Sequence, residues 1–129
     1  MAYRKYRNRK ATYRGQQFDS KKEAERYIYL RQLERNGVIS DLQQQVKYVL
    51  IPAQYEPTGE LYQRGARKGE PKMKLVERKC SYVADFAYQK DGQTVVEDVK
   101  GYRDGGAYAL FKIKRKLMLY VHGIKVIEI

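Results

Sequence analysis

Tryptophan is absent from this chain of 129 residues, and cysteine and histidine occur once each, as Cys80 and His122. One cysteine excludes an internal disulfide and any multi-cysteine metal site, and one histidine excludes a paired-histidine zinc site and removes histidine-based catalysis. No apolar run approaches the roughly 20 residues of a membrane-spanning helix. The basic N-terminal stretch also lacks the apolar core of a secretory signal. These absences point to the cytoplasm of a bacterial cell or its equivalent. Acidic residues are scarce too, 15 against 27 Lys and Arg, giving a formal net charge of +12. Such a field attracts polyanions and supplies phosphate affinity that does not depend on sequence.

The cations are clustered. Arg4, Lys5, Arg7, Arg9 and Lys10 stand in an acid-free stretch over residues 1–14, interleaved with Tyr3, Tyr6 and Tyr13. That mixture suits an arm that grips a phosphate backbone and stacks on exposed bases. A second cluster is Arg64, Arg67, Lys68, Lys72 and Lys74, and a third is Lys112, Lys114, Arg115 and Lys116. Any one of them fits a solvated face or a tail. Three around one acidic centre favour a nucleic-acid partner.

The acidic centre lies on an expected hairpin. Residues 82–90 alternate like a strand and meet Asp91-Gly92, a favoured two-residue hairpin turn, and residues 93–100 form the return strand. A two-residue loop pairs Lys90 with Gln93 and sets Asp85 opposite Asp98, with Cβ atoms roughly 4.5–5.5 Å apart. Lys100 falls on the Asp98 side and Glu97 on the other. Two facing carboxylates repel unless a cation lies between them, and hard oxygen ligands suit Mg²⁺. On a solvated face each would instead pair with a lysine or arginine. The Val-rich strand argues for burial, where a lone charge is costly.

The remaining pattern is α/β, a mixed central sheet of about four to five strands flanked by two main helices in one domain. A short hairpin turns at Arg14-Gly15, and a helix over residues 21–36 stops at Gly37. Residues 46–51 read as a strand ended by Pro52, and residues 53–73 as a long, flexible basic loop. A second helix over residues 107–121 carries Leu110, Ile113, Leu117 and Tyr120 on one apolar stripe, and residues 124–129 form a last strand. Ser20-x-x-Glu23 fits a capping box, which explains Glu23 without any chemistry.

The spacing of Asp85 and Asp98-Val99-Lys100 resembles the bipartite signature of the PD-(D/E)XK nuclease superfamily. The stretches Phe18-Asp19-Ser20-Lys21-Lys22-Glu23-Ala24, Tyr82-Val83-Ala84-Asp85-Phe86 and Glu97-Asp98-Val99-Lys100-Gly101 are similar to a small phage- and prophage-encoded branch of it. Ala84 departs from the proline of the superfamily's name. The resemblance implies a restriction-endonuclease-like core with Glu23, Asp85, Asp98 and Lys100 as catalytic residues. It places metal ligation on Glu23, Asp85, Asp98 and Val99, with Mg²⁺ as cofactor and Mn²⁺ as substitute. Gln45 and Tyr108 are candidate supporting residues.

The expected activity is metal-dependent endonucleolytic hydrolysis of DNA. With no zinc finger or helix-turn-helix signature, the substrate is expected to be read by shape, as a branch or Holliday junction. Cutting two strands asks for a homodimer. The competing reading is a non-catalytic DNA-binding accessory of phage replication or packaging. An RNA-associated module also fits the charge but leaves the facing carboxylates without a reason.

Overall fold

The computed structural model describes residues 10–101 and 103–129. Arg4, Lys5, Arg7 and Arg9 of the expected arm lie outside the described residues, and Lys10 is exposed. Strands β1 (Ala11–Tyr13) and β2 (Gln16–Phe18) form the expected hairpin about Arg14 and Gly15, so the arm ends short of residue 14. Helix α1 (Lys21–Arg35) begins at Ser20, whose hydroxyl accepts from the Glu23 amide at 3.1 Å, and ends at Asn36 before Gly37 at φ 74°.

Five strands follow. These are β3 (Ser40–Ile51), β4 (Gln54–Leu61), β5 (Pro71–Glu77), β6 (Cys80–Lys90) and β7 (Gln93–Asp98). Helix α2 (Gly105–Leu117) continues into a π-helical turn at Met118–His122, and β8 (Ile127–Glu128) ends the fold. The central sheet runs β3-β6-β7-β8, antiparallel through β7 and parallel between β7 and β8. The architecture is therefore α/β, with a mixed four-stranded sheet and two helices. Leu30 of α1 packs with Ile39, Phe86 and Tyr88 on one face. Phe111 and Met118 of the α2 segment pack with Leu50, Tyr82, Ala84, Ala87, Val96 and Val126 on the other. Among the described residues, no helix is long and apolar enough to cross a membrane.

Asp91 and Gly92 both take positive φ (51° and 76°), as a type I′ turn demands, and Lys90 pairs with Gln93. The expected register therefore holds down to Phe86 opposite Glu97.

Two expectations are corrected. Residues 53–73 are mostly not loop: β4 and β5 form a two-stranded ribbon joined by a turn over residues 62–70. Tyr55, Leu61, Met73 and Leu75 supply strand-forming side chains, and Lys74 pairs with Glu56 at 3.1 Å. Each strand of such a ribbon has a free outer edge, which is where strands tolerate proline, and Pro57 and Pro71 lie in these two strands. On α2, the stripe Leu110, Ile113 and Tyr120 is exposed. Buried Phe111 and Met118, with half-buried Tyr108 between helix and sheet, face the core instead. The large aromatic at Phe111 sets the helix phase, and the π turn after Leu117 shifts the spacing on which the stripe depended.

Candidate active site

The packed faces of β3 and β6 change over at Gln45 and Asp85, and the candidate site is there. In β6, Tyr82 and Ala84 pack toward α2, whereas Phe86 and Tyr88 pack toward α1. In β3, Leu42 sits on the α1 side, but Val46, Tyr48 and Leu50 sit on the α2 side. Both strands change face between the pairs Gln44–Phe86 and Val46–Ala84, at Gln45 and Asp85. Gln45 turns the chain by adopting φ 52°, a conformation that residues other than glycine seldom take. The turn aims its amide at two carboxylates. Gln45 Nε2 donates to Glu23 Oε1 at 3.1 Å and to Asp85 Oδ1 at 3.4 Å.

Glu23 is 7% exposed, in the first turn of α1. Ser20 caps the helix as expected, but the Glu23 carboxylate turns toward Gln45 and the sheet. Burial raises its pKa, and the charges of Asp19 and Asp98 raise it further. Asp85 accepts from the Val99 amide at 2.8 Å, and its carboxyl is pushed up to about 8. Burial is the main cause, followed by its hydrogen bond to Asp98 and the Asp98 charge, while the Val99 amide pulls the other way. Asp98, 6% exposed, accepts from the Tyr82 hydroxyl at 2.5 Å and lies 3.3 Å from Lys100 Nζ. Burial and that bond hold the Tyr82 hydroxyl firmly protonated.

The Asp85 carboxyl is thus held protonated well above the ordinary carboxylate range, facing Asp98. As the side chains stand, the carboxylates are linked in pairs. Among the described residues no three acidic, histidine or cysteine side chains converge on one point. The donors nonetheless fit a hard divalent ion: buried carboxylate oxygens, too acidic a set for the one nearby lysine to balance.

An open cleft of about 340 Å³ lies beside Asp98 and Lys100. Ser81, Tyr82 and Val83 form one wall, at the part of β6 that runs past the end of β7, and Ala107, Leu110, Phe111 and Lys114 of α2 form the other. The Lys100 ammonium rests 3.6 Å from the centre of the Phe111 ring. Lys22 Nζ donates to the carbonyls of Lys100 and Ile129 at 2.8 and 2.9 Å, tying α1 to the end of the motif.

Of the expected phosphate contacts on α2, Lys114 lines this cleft, while Lys112 and Lys116 point to solvent. Arg115 is bound to Glu128 at 2.6 Å. The same carboxylate takes Arg103 at 3.2 Å and the Tyr108 hydroxyl at 3.1 Å. Tyr108 therefore holds Glu128 rather than the acidic cluster. Burial alone would raise the Glu128 pKa, but the bonds from Arg103, Tyr108 and Arg115 outweigh it and lower it. Glu128 pairs with Asp98 across β7 and β8, so this clamp fixes the strand beside the site.

Sequence reasoning missed Tyr82, Lys22 and Glu128. Tyr82, three residues before Asp85, could have been found as a partner for Asp98 had the face change been visible. Lys22 and Glu128 gave no signal beyond their charge. Glu97 was expected on the opposite face and is there, 1% exposed, with its carboxylate held by Arg26 at 2.7 Å through both oxygens and by the Tyr88 hydroxyl.

The chain matches no curated protein and no solved structure. It does match one family model over residues 3–125, described as a protein of unknown function. The chain belongs to that family, DUF1064.

Proposed function

We propose that this protein is a metal-dependent DNA endonuclease of the PD-(D/E)XK kind. The observation that carries the reading is the facing pair Asp85 and Asp98 at the end of a central hairpin, with Lys100 3.3 Å from Asp98. A mixed sheet between two helices, with Glu23 brought in from the first helix through Gln45, is consistent with a restriction-endonuclease-like core.

Glu23, Asp85, Asp98 and the main-chain oxygen of Val99 would hold one or two Mg²⁺ ions, with Mn²⁺ as a substitute. When bound, such an ion polarises a phosphate and lowers the pKa of water. The chain's own residues do the positioning. Gln45 spaces Glu23 from Asp85, and the Val99 amide and the Tyr82 hydroxyl fix the two aspartates. Lys100 stands at the mouth of the cleft, where it orients the attacking water or stabilises charge building on the phosphate. Lys114, across the cleft, would offset phosphate charge. The proposed substrate is branched DNA, such as a Holliday junction, cut by a homodimer in a bacterial cytoplasm under phage or prophage control.

Cleavage of a labelled four-way junction tests the reading, beside linear duplex and single strand, with Mg²⁺, Mn²⁺ or EDTA. Junction cutting that requires metal, Asp98 and Lys100 is expected. Metal-dependent cutting of all three DNAs alike would keep the chemistry and remove the junction assignment. Tight binding without cutting, unchanged by Asp98→Ala, would replace the enzyme with a DNA-binding accessory protein.

A further inference from the structure

The β4–β5 ribbon stands apart from the rest of the fold. Its two strands pack chiefly on each other, and every residue of both is exposed except half-buried Lys72. It continues the β3–β6 pair outward: Ile51 pairs with Cys80, and Gln54 opposite Glu77 opens the ribbon three residues further on. An isolated two-stranded hairpin is marginal in water, so a ribbon kept at this length calls for a partner.

The stalk and the tip differ in charge. Along the stalk, cations face acids: Lys74 lies 3.1 Å from Glu56 and Lys72 4.0 Å from Glu60. The tip carries Arg64, Arg67 and Lys68 against Glu70 alone. Among the described residues none of these three cations forms an ion pair. The tip is also built rather than slack. Tyr62 exchanges main-chain bonds at 2.9 Å with Glu70 and Gly69, and further bonds join Lys68 to Gly65 and Glu70 to Arg67. The Tyr62 ring lies 5.7 Å from the Arg67 guanidinium and 5.8 Å from Lys72 Nζ, which anchors the knob to the stalk. Gly65 and Gly69 take φ 82° and 87°, turning the chain so that three cations project from one short loop.

We infer that the β4–β5 ribbon is an arm whose tip, through Arg64, Arg67 and Lys68, binds duplex DNA flanking the cleavage site. The inference rests on the DNA reading proposed above and adds a second contact remote from the acidic centre. A two-stranded ribbon fits a DNA groove, and unpaired arginine and lysine at its end suit phosphates or a narrow groove. The chain from Asp85 back through β6 and β5 to Pro71, where the tip begins, would span about 47 Å if fully extended. That is more than one turn of B-DNA, roughly 14 base pairs. Lys47 and Lys79 mark the path at the base of the arm. The nearby Lys79 lowers the Lys47 pKa, two like charges standing close together.

The test is fluorescence anisotropy of the full chain in EDTA on junctions with arms of 8, 16 and 24 base pairs. It compares wild type with Arg64→Glu/Arg67→Glu/Lys68→Glu. Wild type should bind 16-base-pair arms about 10-fold or more tighter than 8-base-pair arms. The variant should lose that gain, bind the shortest junction within about two-fold of wild type, and show a salt slope lower by roughly three. Equal binding by both proteins at every length would overturn the inference. So would a variant that binds normally but dissociates from dimer to monomer in sedimentation, which would make the arm a contact between copies. Because binding is read without metal, the two readings fail separately. A length-dependent, tip-dependent binder that never cuts DNA sinks only the nuclease. A nuclease indifferent to its tip sinks only the arm.

Discussion

Glu97 and Asp98 are consecutive, both acidic and both buried, yet the structure treats them in opposite ways. Glu97, on the α1 side of β7, receives a two-pronged arginine and a tyrosine hydroxyl, so its charge is balanced within the fold. Asp98, on the α2 side, faces another carboxylate with one lysine at 3.3 Å, at the edge of an open cleft. Burial alone does not mark a site. An acidic group that the fold buries and leaves incompletely neutralised does, because nothing in folding repays that cost.

Exchanging the two residues' fates is the sharpest way to break the comparison. Asp98→Asn should lower kcat for junction cleavage by on the order of 10³-fold or more, while its melting temperature at pH 8 stays level or rises. Glu97→Ala should do the reverse. It strands the Arg26 guanidinium and the Tyr88 hydroxyl, and denaturant titration should show a loss of about 3–5 kcal/mol. A Glu97→Ala protein as stable as wild type, or an active Asp98→Asn enzyme, would erase the distinction.

The raised Asp85 carboxyl gives a pH signature. Asp85 is raised from 3.8 to about 8 in the fold, so the native state holds a proton there that the unfolded chain releases. The metal-free protein's stability from this group is complete below the ordinary value and falls as pH rises through the folded one. Melts in EDTA should therefore decline between about pH 4 and 8 on this account and level off above. Asp85→Asn should flatten that decline. Metal affinity runs the other way, rising by roughly 100-fold from pH 6 to 8 as the proton is displaced.

Gln45 offers the smallest and most discriminating effect. Gln45→Gly relieves a positive φ and should stabilise the fold by about 1 kcal/mol. It also removes the amide that spaces Glu23 from Asp85, so metal affinity should drop by roughly 10-fold. Stability and binding moving in opposite directions would tie the strain to the site.

Much of this contrast was legible in the sequence. Asp91-Gly92 dictated a turn, the turn dictated the register, and the register put Asp98 and Lys100 on one side and Glu97 on the other. Period-two reasoning works for β7 because its backbone is regular throughout. It fails for β3 and β6 at Gln45 and Asp85, because a glutamine carries no sign that it will adopt the left-handed region. The capping-box pattern at Ser20 and Glu23 was half right, since local geometry caps the helix through the hydroxyl and a tertiary contact claims the carboxylate. Residues 53–73 read as loop because prolines, glycines and mixed charges dominate them. A ribbon with no buried face has no hydrophobic alternation to reveal it. On α2 the exposed stripe was as apolar as the packed one, so composition alone could not choose between them.

The account's central claim is that the Asp85–Asp98 pair holds a divalent cation in place of a proton. Calorimetric titration of Mn²⁺ into the protein, in buffers of different ionisation enthalpy, measures that exchange directly. The account predicts saturable binding that releases roughly one proton per ion at pH 7 and almost none above pH 9, lost in Asp98→Ala. Binding with no proton released at pH 7, or unchanged by Asp98→Ala, would contradict it.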